Sequence, residues 1–333
     1  QPVVGMVQYN ETGAGIANVR VCAFGFGTNG LADVYTDCTT TGADGSFTLF
    51  LPEGSSAIVA TADGFSSDGQ VIDTGAVSPT LVLTNDSAHY GNDSEAGYAQ
   101  DPVNTALGNF TQHHTDLSLK GRGLGIRFTR FYNSQDTYTG PLGYGWTHNY
   151  NITVTKTGDV ATIKFGDGRE EFYVQQADDS YTPQPGVYNT LTENPDGTFD
   201  LEDKHQTVYN FDTASRLVTI TDKNGNAITL TYTGTQLTTI TDPVGRQVQL
   251  TYNGDNRITQ LAAPLARTIT FTYNGAGDLV SATDAMDQET VYTYDAMHQM
   301  LTATDPNGNV FVTNTYDNEN RVVSAQSDAL GNT

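Results

Sequence analysis

The last third of the chain alternates between apolar and polar positions in short runs, broken by polar turns. Ile228-Thr229-Leu230-Thr231-Tyr232 is one such run and Ile269-Thr270-Phe271-Thr272-Tyr273 another. A period of two in Thr, Tyr and β-branched residues predicts strands with one buried face. Between the runs lie segments such as Asn274-Gly275-Ala276-Gly277-Asp278 and Asp222-Lys223-Asn224-Gly225-Asn226. These predict tight turns, because Asn and Gly reach positive φ at little cost. The elementary unit is therefore two strands and two turns.

That unit recurs. An aromatic stands at Phe211, Tyr232, Tyr252, Tyr273, Tyr294 and Tyr316, with steps of 21, 20, 21, 21 and 22 residues. An apolar residue follows each, at Leu217, Leu237, Ile258, Leu279, Met300 and Val323. Five residues further stand Asp222, Asp242, Ala263, Asp284, Asp305 and Asp328. The gap from aromatic to apolar residue varies, as a turn tolerates. The step of five does not, because a slip there would send side chains to the wrong face. One unit cannot bury its apolar face alone, whereas stacked units can, so the repeat predicts a sheet built module by module. The aromatics, at the ends of alternating strands, are expected to stack inside that sheet. The third unit, Ala262-Ala263-Pro264-Leu265-Ala266, lacks both Asp and Gly and predicts a different turn.

The pattern resembles the YD repeats of the Rhs and teneurin group. Tyr294-Asp295 and Tyr316-Asp317 carry the dipeptide itself, and Tyr252-Asn253-Gly254 and Tyr273-Asn274-Gly275 are close variants. Upstream, DPVNTALGNF from Asp101, GRGLGIRFTRFYNSQD from Gly121, GPLGYGWTHNYN from Gly140 and FGDGREEFY from Phe165 resemble the β domain that leads into such repeats in bacterial Rhs proteins. The resemblance covers residues 101–333. It implies a leading domain over 101–205 and about six YD units over 206–333. It also implies that repeats spiral into a β-sheet shell, which in toxins encloses a C-terminal effector. Six units are few for closure, so an open, curved or rolled sheet is expected.

Residues 1–85 read differently. Val3-Val4-Gly5-Met6-Val7, Val19-Arg20-Val21-Cys22, Thr41-Gly42-Ala43-Asp44-Gly45-Ser46-Phe47 and Leu51-Pro52-Glu53-Gly54 are short strands and Gly-rich turns, which predict a small Ig-like sandwich. Their order resembles the transthyretin-like regulatory domains of carboxypeptidases. Residues 86–100 are polar and read as a linker. The fold class expected is all-β: a small N-terminal sandwich, then a YD-repeat sheet spiral or rolled sheet.

Charge and cysteines narrow the setting. The formal net charge of −23 argues against nucleic acid and anionic membrane surfaces, since phosphate is neutralised by clustered Lys and Arg. No apolar run is long enough for a membrane span. Gln1 is expected to be a mature terminus left by signal cleavage, and the chain to be secreted or on the cell surface. The two cysteines, Cys22 and Cys38, fit neighbouring strands. A bridge there would contribute on the order of 3 kcal/mol; the alternative is two buried free thiols.

Several groups invite a chemical reading, and each has a plainer one. His113-His114-Thr115-Asp116 invites a metal reading, but adjacent histidines on a strand point to opposite faces, which suits a shared ion poorly. Of Glu170-Glu171, one is expected to pair with Arg169 or face solvent. Arg122, Arg127 and Arg130 cluster in an acidic chain, and a buried arginine–carboxylate lock fits Arg130 better than an anion site. The Asp222 and Asp305 loops lack the bidentate carboxylate of a calcium loop. Trp146, between glycines and polar residues, is expected to plug a core. No catalytic residue, cofactor or metal is assigned. The expectation is a non-catalytic structural protein, a fibre or adhesive subunit that pairs with copies of itself through a strand edge near Ala329–Thr333, with a cell-surface protein or glycan as a further partner. The alternatives are the front portion of an Rhs-type toxin shell, or a carbohydrate-binding module.

Overall fold

The computed structural model describes residues 2–10, 12–26, 32–51, 55–62, 65–66, 68–73, 78–85, 98–99, 103–104, 108–121, 123–184, 186–317 and 323–328. Most of the expected linker, Arg122 and the terminal 329–333 lie outside them. Every regular element described is a strand.

The N-terminal unit is a sandwich of two four-stranded sheets. One runs Ser46–Phe50, Pro2–Tyr9, Thr80–Asn85, Phe65–Ser66; the other runs Ala32–Thr40, Arg20–Phe26, Ser55–Thr61, Asp68–Asp73. Val7, Val21, Leu49, Ile58 and Leu81 are fully buried in one core, as the alternation along these strands requires. Cys22 and Cys38 face each other across an antiparallel pair with Cα atoms 4.2 Å apart, and are bonded. Tyr98–Ala99, read as the end of the linker, instead pairs with Val103–Asn104 at the edge of the next sheet.

The leading domain contributes a five-stranded sheet in the order Trp146–His148, Ile126–Asn133, Asn109–Leu119, Val103–Asn104, Tyr98–Ala99. A four-stranded meander follows from Thr153 to Pro183. After it, a fourteen-stranded antiparallel sheet runs from Thr190 to Asp328, each strand paired with its neighbours in sequence. The sheet begins before residue 206, the boundary expected from the repeat spacing. Thr190–Glu193 and Phe199–Glu202 join it because they alternate in the same way, burying Leu191, Phe199 and Leu201 in the common core. Their turn lacks the aromatic that marks the later units, which is why spacing alone missed them.

Each of the six aromatics sits at a break in register. Thr231 pairs with Thr239 but Tyr232 with Leu237, so Thr238 is an extra residue, and the same shift recurs at Phe211, Tyr252, Tyr273, Tyr294 and Tyr316. A bulge increases the local twist, and repeating it once per unit bends the sheet the same way each time. The rings do not stack on one another, since two strands separate successive units by roughly 10 Å. Each tyrosine reaches back instead. Its hydroxyl donates to the carbonyl of the preceding unit's apolar residue: Tyr232 to Leu217 (2.8 Å), Tyr252 to Leu237 (2.9 Å), Tyr273 to Ile258 (2.7 Å), Tyr294 to Leu279 (2.8 Å) and Tyr316 to Met300 (2.9 Å). Phe211, at the start of the series, has no hydroxyl and packs its ring in the core. Tyr252→Phe is expected to lower stability by about 1 kcal/mol, the net worth of one such bond, while leaving the sheet intact. Chemical denaturation of the variant checks it, and an unchanged midpoint would remove the hydroxyl from the account.

The turns use their acidic residues in place. Asp222 Oδ1 accepts the amides of Asn224 and Asn226 at 2.9 Å each, and Asp305 Oδ1 those of Asn307 (2.9 Å) and Asn309 (2.8 Å). These are Asx turns. The third unit turns instead through Leu265 and Ala266, both with positive φ (65° and 55°).

Candidate functional site

The leading domain and the inner face of the repeat sheet share one apolar core, and a polar seam runs through it. In strand Ile126–Asn133, period-two alternation puts Phe128, Arg130 and Tyr132 on the inward side. An arginine at an inward position must find its partners inside. Asn109–Leu119 supplies one: its register breaks between Thr115 and Leu117, and Asp116 is the extra residue. Both Asp116 oxygens accept from Arg130 Nε, at 3.0 and 2.9 Å. Arg130 Nη1 donates to the Tyr292 hydroxyl at 3.0 Å, from the repeat sheet. The guanidinium carbon also lies 5.0 Å from the Trp146 ring centre and 5.4 Å from that of Tyr292. Burial works against the charge, but Asp116 and Tyr292 outweigh it and hold Arg130 above its ordinary range.

Other contacts join the same two bodies. Trp146 Nε1 donates to the Tyr294 hydroxyl at 2.8 Å, which itself donates to Leu279. The Met300 amide donates to the Tyr132 hydroxyl at 2.9 Å. Tyr144 stacks on His298 with ring centres 3.7 Å apart, and His298 Nδ1 lies 2.7 Å from Asp278. The Ile258 amide donates to the Pro141 carbonyl at 2.7 Å. Gly143 has φ +92°, and a Cβ there would stand 2.6 Å from the Gly277 carbonyl oxygen, so only glycine fits.

The residues singled out in the sequence divide accordingly. Arg130 and Trp146 come together in the seam. His114 lies beside them at the surface, its Nδ1 2.9 Å from Asp116, while His113 is exposed on the strand. Glu171 is held elsewhere, by Arg169 and by the Tyr173 hydroxyl at 2.6 Å. Asp116 was read with His113 and His114 as a metal candidate and not as the partner of Arg130, and Tyr132 and Tyr292 were missed. Asp116 stood in plain view after His113-His114, but the bulge that turns it inward has no signature in the sequence.

Beside the seam lies a cleft of about 380 Å³ between residues 138–151 and the turns at Gln236 and Arg257. His148 lines it, stacked on Phe128 with ring centres 4.9 Å apart. Burial pushes this imidazole down to about 3, so it is neutral at physiological pH.

An all-β scaffold in which a fourteen-stranded meander packs on a leading domain is the class that this geometry defines. Residues 190–329 match the family described as Teneurin YD-shell, and residues 100–173 match a domain of unknown function (DUF6531). Residues 190–329 thus form a YD-repeat type of sheet, similar to that family. Among curated proteins, the tRNA3(Ser)-specific nuclease WapA of Bacillus spizizenii is 32% identical over 177 residues, 52% of this chain and 7% of that protein. The tRNA nuclease WapA of Bacillus subtilis (strain 168) is 31% identical over 177 residues, again 52% of this chain and 7% of that protein. Among solved structures, TcdB2-TccC3 without its hypervariable C-terminal region covers 92% of this chain and 19% of its own, with a TM-score of 0.29 and 13% identity. The chain therefore spans a small fraction of each relative.

Proposed function

We propose that this chain forms a non-catalytic stretch of an Rhs-type shell, in which the leading domain over residues 101–189 seals against the first turns of a spiralling YD-repeat sheet. The single observation that carries the reading is the seam. A repeat sheet of the YD-shell kind, bent at every unit, has its inner face filled by the leading domain and locked by Arg130, Tyr132 and Trp146. That arrangement suits a container wall anchored at one end. The fibre or adhesive subunit expected first finds no support in the comparisons, which favour the shell.

The relatives named as tRNA nucleases are far longer than the stretch they share with this chain. We read the shared stretch as scaffold and place any nuclease activity in the unshared remainder. The N-terminal sandwich, taken as transthyretin-like, serves as an accessory module on the secreted or surface-exposed face. Limited proteolysis of the full-length native protein tests the reading. A C-terminal effector enclosed by the shell should resist digestion until the seam is disrupted by Gly143→Ala. An effector digested as fast within the intact protein as when isolated would overturn it.

A further inference from the structure

The bridge between Cys22 and Cys38 is open to solvent on one side. The two cysteines stand directly opposite each other on antiparallel strands. They lie on the outer face of their sheet, since Val21 and Ala23 take the buried positions on either side of Cys22. Cys22 is covered, at 7% exposed, whereas Cys38 is exposed. The strand that carries Cys38, Ala32–Thr40, is the edge of that sheet. Its pairing with Arg20–Phe26 shifts register twice, between Ala23 and Phe24 and between Phe24 and Gly25. A cation stands beside the bridge. Arg20 lies two residues before Cys22 and shares its face, and Arg20 Nη2 is 3.9 Å from Cys38 Sγ. The carboxylate of the adjoining Asp37 is engaged by the Phe50 amide at 2.8 Å.

A disulfide within reach of solvent exchanges with thiols, whereas a buried structural one resists them. We propose that Cys22–Cys38 is a thiol-exchangeable disulfide, that Cys38 Sγ is the sulfur a small thiol attacks, and that the exchange releases the edge strand. An attacking thiolate forms a bond to Cys38 Sγ. The Cys22–Cys38 bond breaks, and its electron pair leaves on Cys22 Sγ, which takes a proton from water. A second thiol then displaces Cys38 in the same way, so the protein gains two thiols and the reductant becomes a disulfide. Between the two bonds the negative charge is shared by three sulfurs. Arg20, with its guanidinium at 3.9 Å, is placed to offset that charge. It also favours the approach of an anionic thiol to a chain whose net charge of −23 repels one. Once the bridge opens, Ala32–Thr40 is held by a ladder interrupted at two places. The inference is independent of the shell reading, since it uses only the N-terminal sandwich.

Reduction of the intact, folded chain by glutathione tests it, with N-ethylmaleimide as the trap and peptide mass mapping as the readout. The bridge is expected to open without denaturant, and the first trapped species to carry glutathione on Cys38 and maleimide on Cys22. Arg20→Gln should slow that first step roughly twofold to fivefold, the scale of one exposed charge pair. Arg20→Lys should restore most of the rate, and high salt should shrink the difference between Arg20→Gln and the parent. Hydrogen exchange over residues 32–40 should rise on reduction. The site of the adduct and the need for denaturant are read on the parent chain, so they decide the matter even if Arg20→Gln fails to fold. Two free thiols before any reductant is added, a bridge that opens only in denaturant, or glutathione on Cys22 would each overturn the proposal. So would the parental rate in a folded Arg20→Gln, or exchange over residues 32–40 that reduction leaves unaltered.

Discussion

Arg130→Met is expected to lower the stability of the repeat body by about 3–5 kcal/mol, as loss of one member of a buried ion pair does. The reason lies in what stays behind. Asp116 has a side chain only 4% exposed and would keep its charge without the guanidinium that now spans both its oxygens. Tyr292 would lose its donor at the same time. Chemical denaturation followed by tryptophan fluorescence is the measurement, because the single Trp146 lies against the guanidinium. Arg130→Lys should not rescue the loss, since an ammonium cannot span the carboxylate and donate to Tyr292 from the same planar fork. The double variant Arg130→Met with Asp116→Leu should recover much of it, because it removes the stranded charge along with its partner. If the single variant were as stable as the parent, or the double variant were no better than the single, the lock would be a bystander in the fold.

Trp146→Ala is expected to cost about 3–5 kcal/mol, the range for emptying a fully buried aromatic site. The indole has the Tyr132 and Tyr292 rings each 5.3 Å from its ring centre, one from the leading domain and one from the repeats. Its removal opens a void where the two bodies meet, and neither can close it without moving a strand. Trp146→Phe should cost less. It keeps much of the packing, and the Tyr294 hydroxyl keeps its own bond to Leu279. Thermal melts of the two variants should therefore rank Phe above Ala. Equal losses would mean that the Nε1 bond to Tyr294, and not ring volume, joins the bodies.

Both variants act on the seam, and the seam was the part least legible beforehand. The repeat was readable because its information is local. Thr229, Leu230 and Thr231 alternate, Asp222 closes its turn through amides two and four residues on, and Gly225 supplies positive φ. Such features depend on neighbours a few residues away. The bulge at each aromatic left no mark in the spacing, since the same one-residue shift accompanies gaps of five, six and seven residues. Its purpose became clear once Tyr252 was seen to reach Leu237, a residue 15 positions earlier. Arg130 and Trp146 could be named as buried, but not paired with Tyr292 and Tyr294, because those contacts span 162 and 148 residues.

Sequence alone determined that this chain is all-β, that its last third is a tandem module, and where each module turns. Those outcomes follow from backbone preference and alternation, which act over short distances and repeat with the unit. Tertiary structure decided which body fills the inner face of the sheet, which carboxylate meets Arg130, and that two further strands join at Thr190. The physical reason is that these depend on how a curved sheet brings distant residues together. Curvature is the sum of many small twists, and no single residue records that sum.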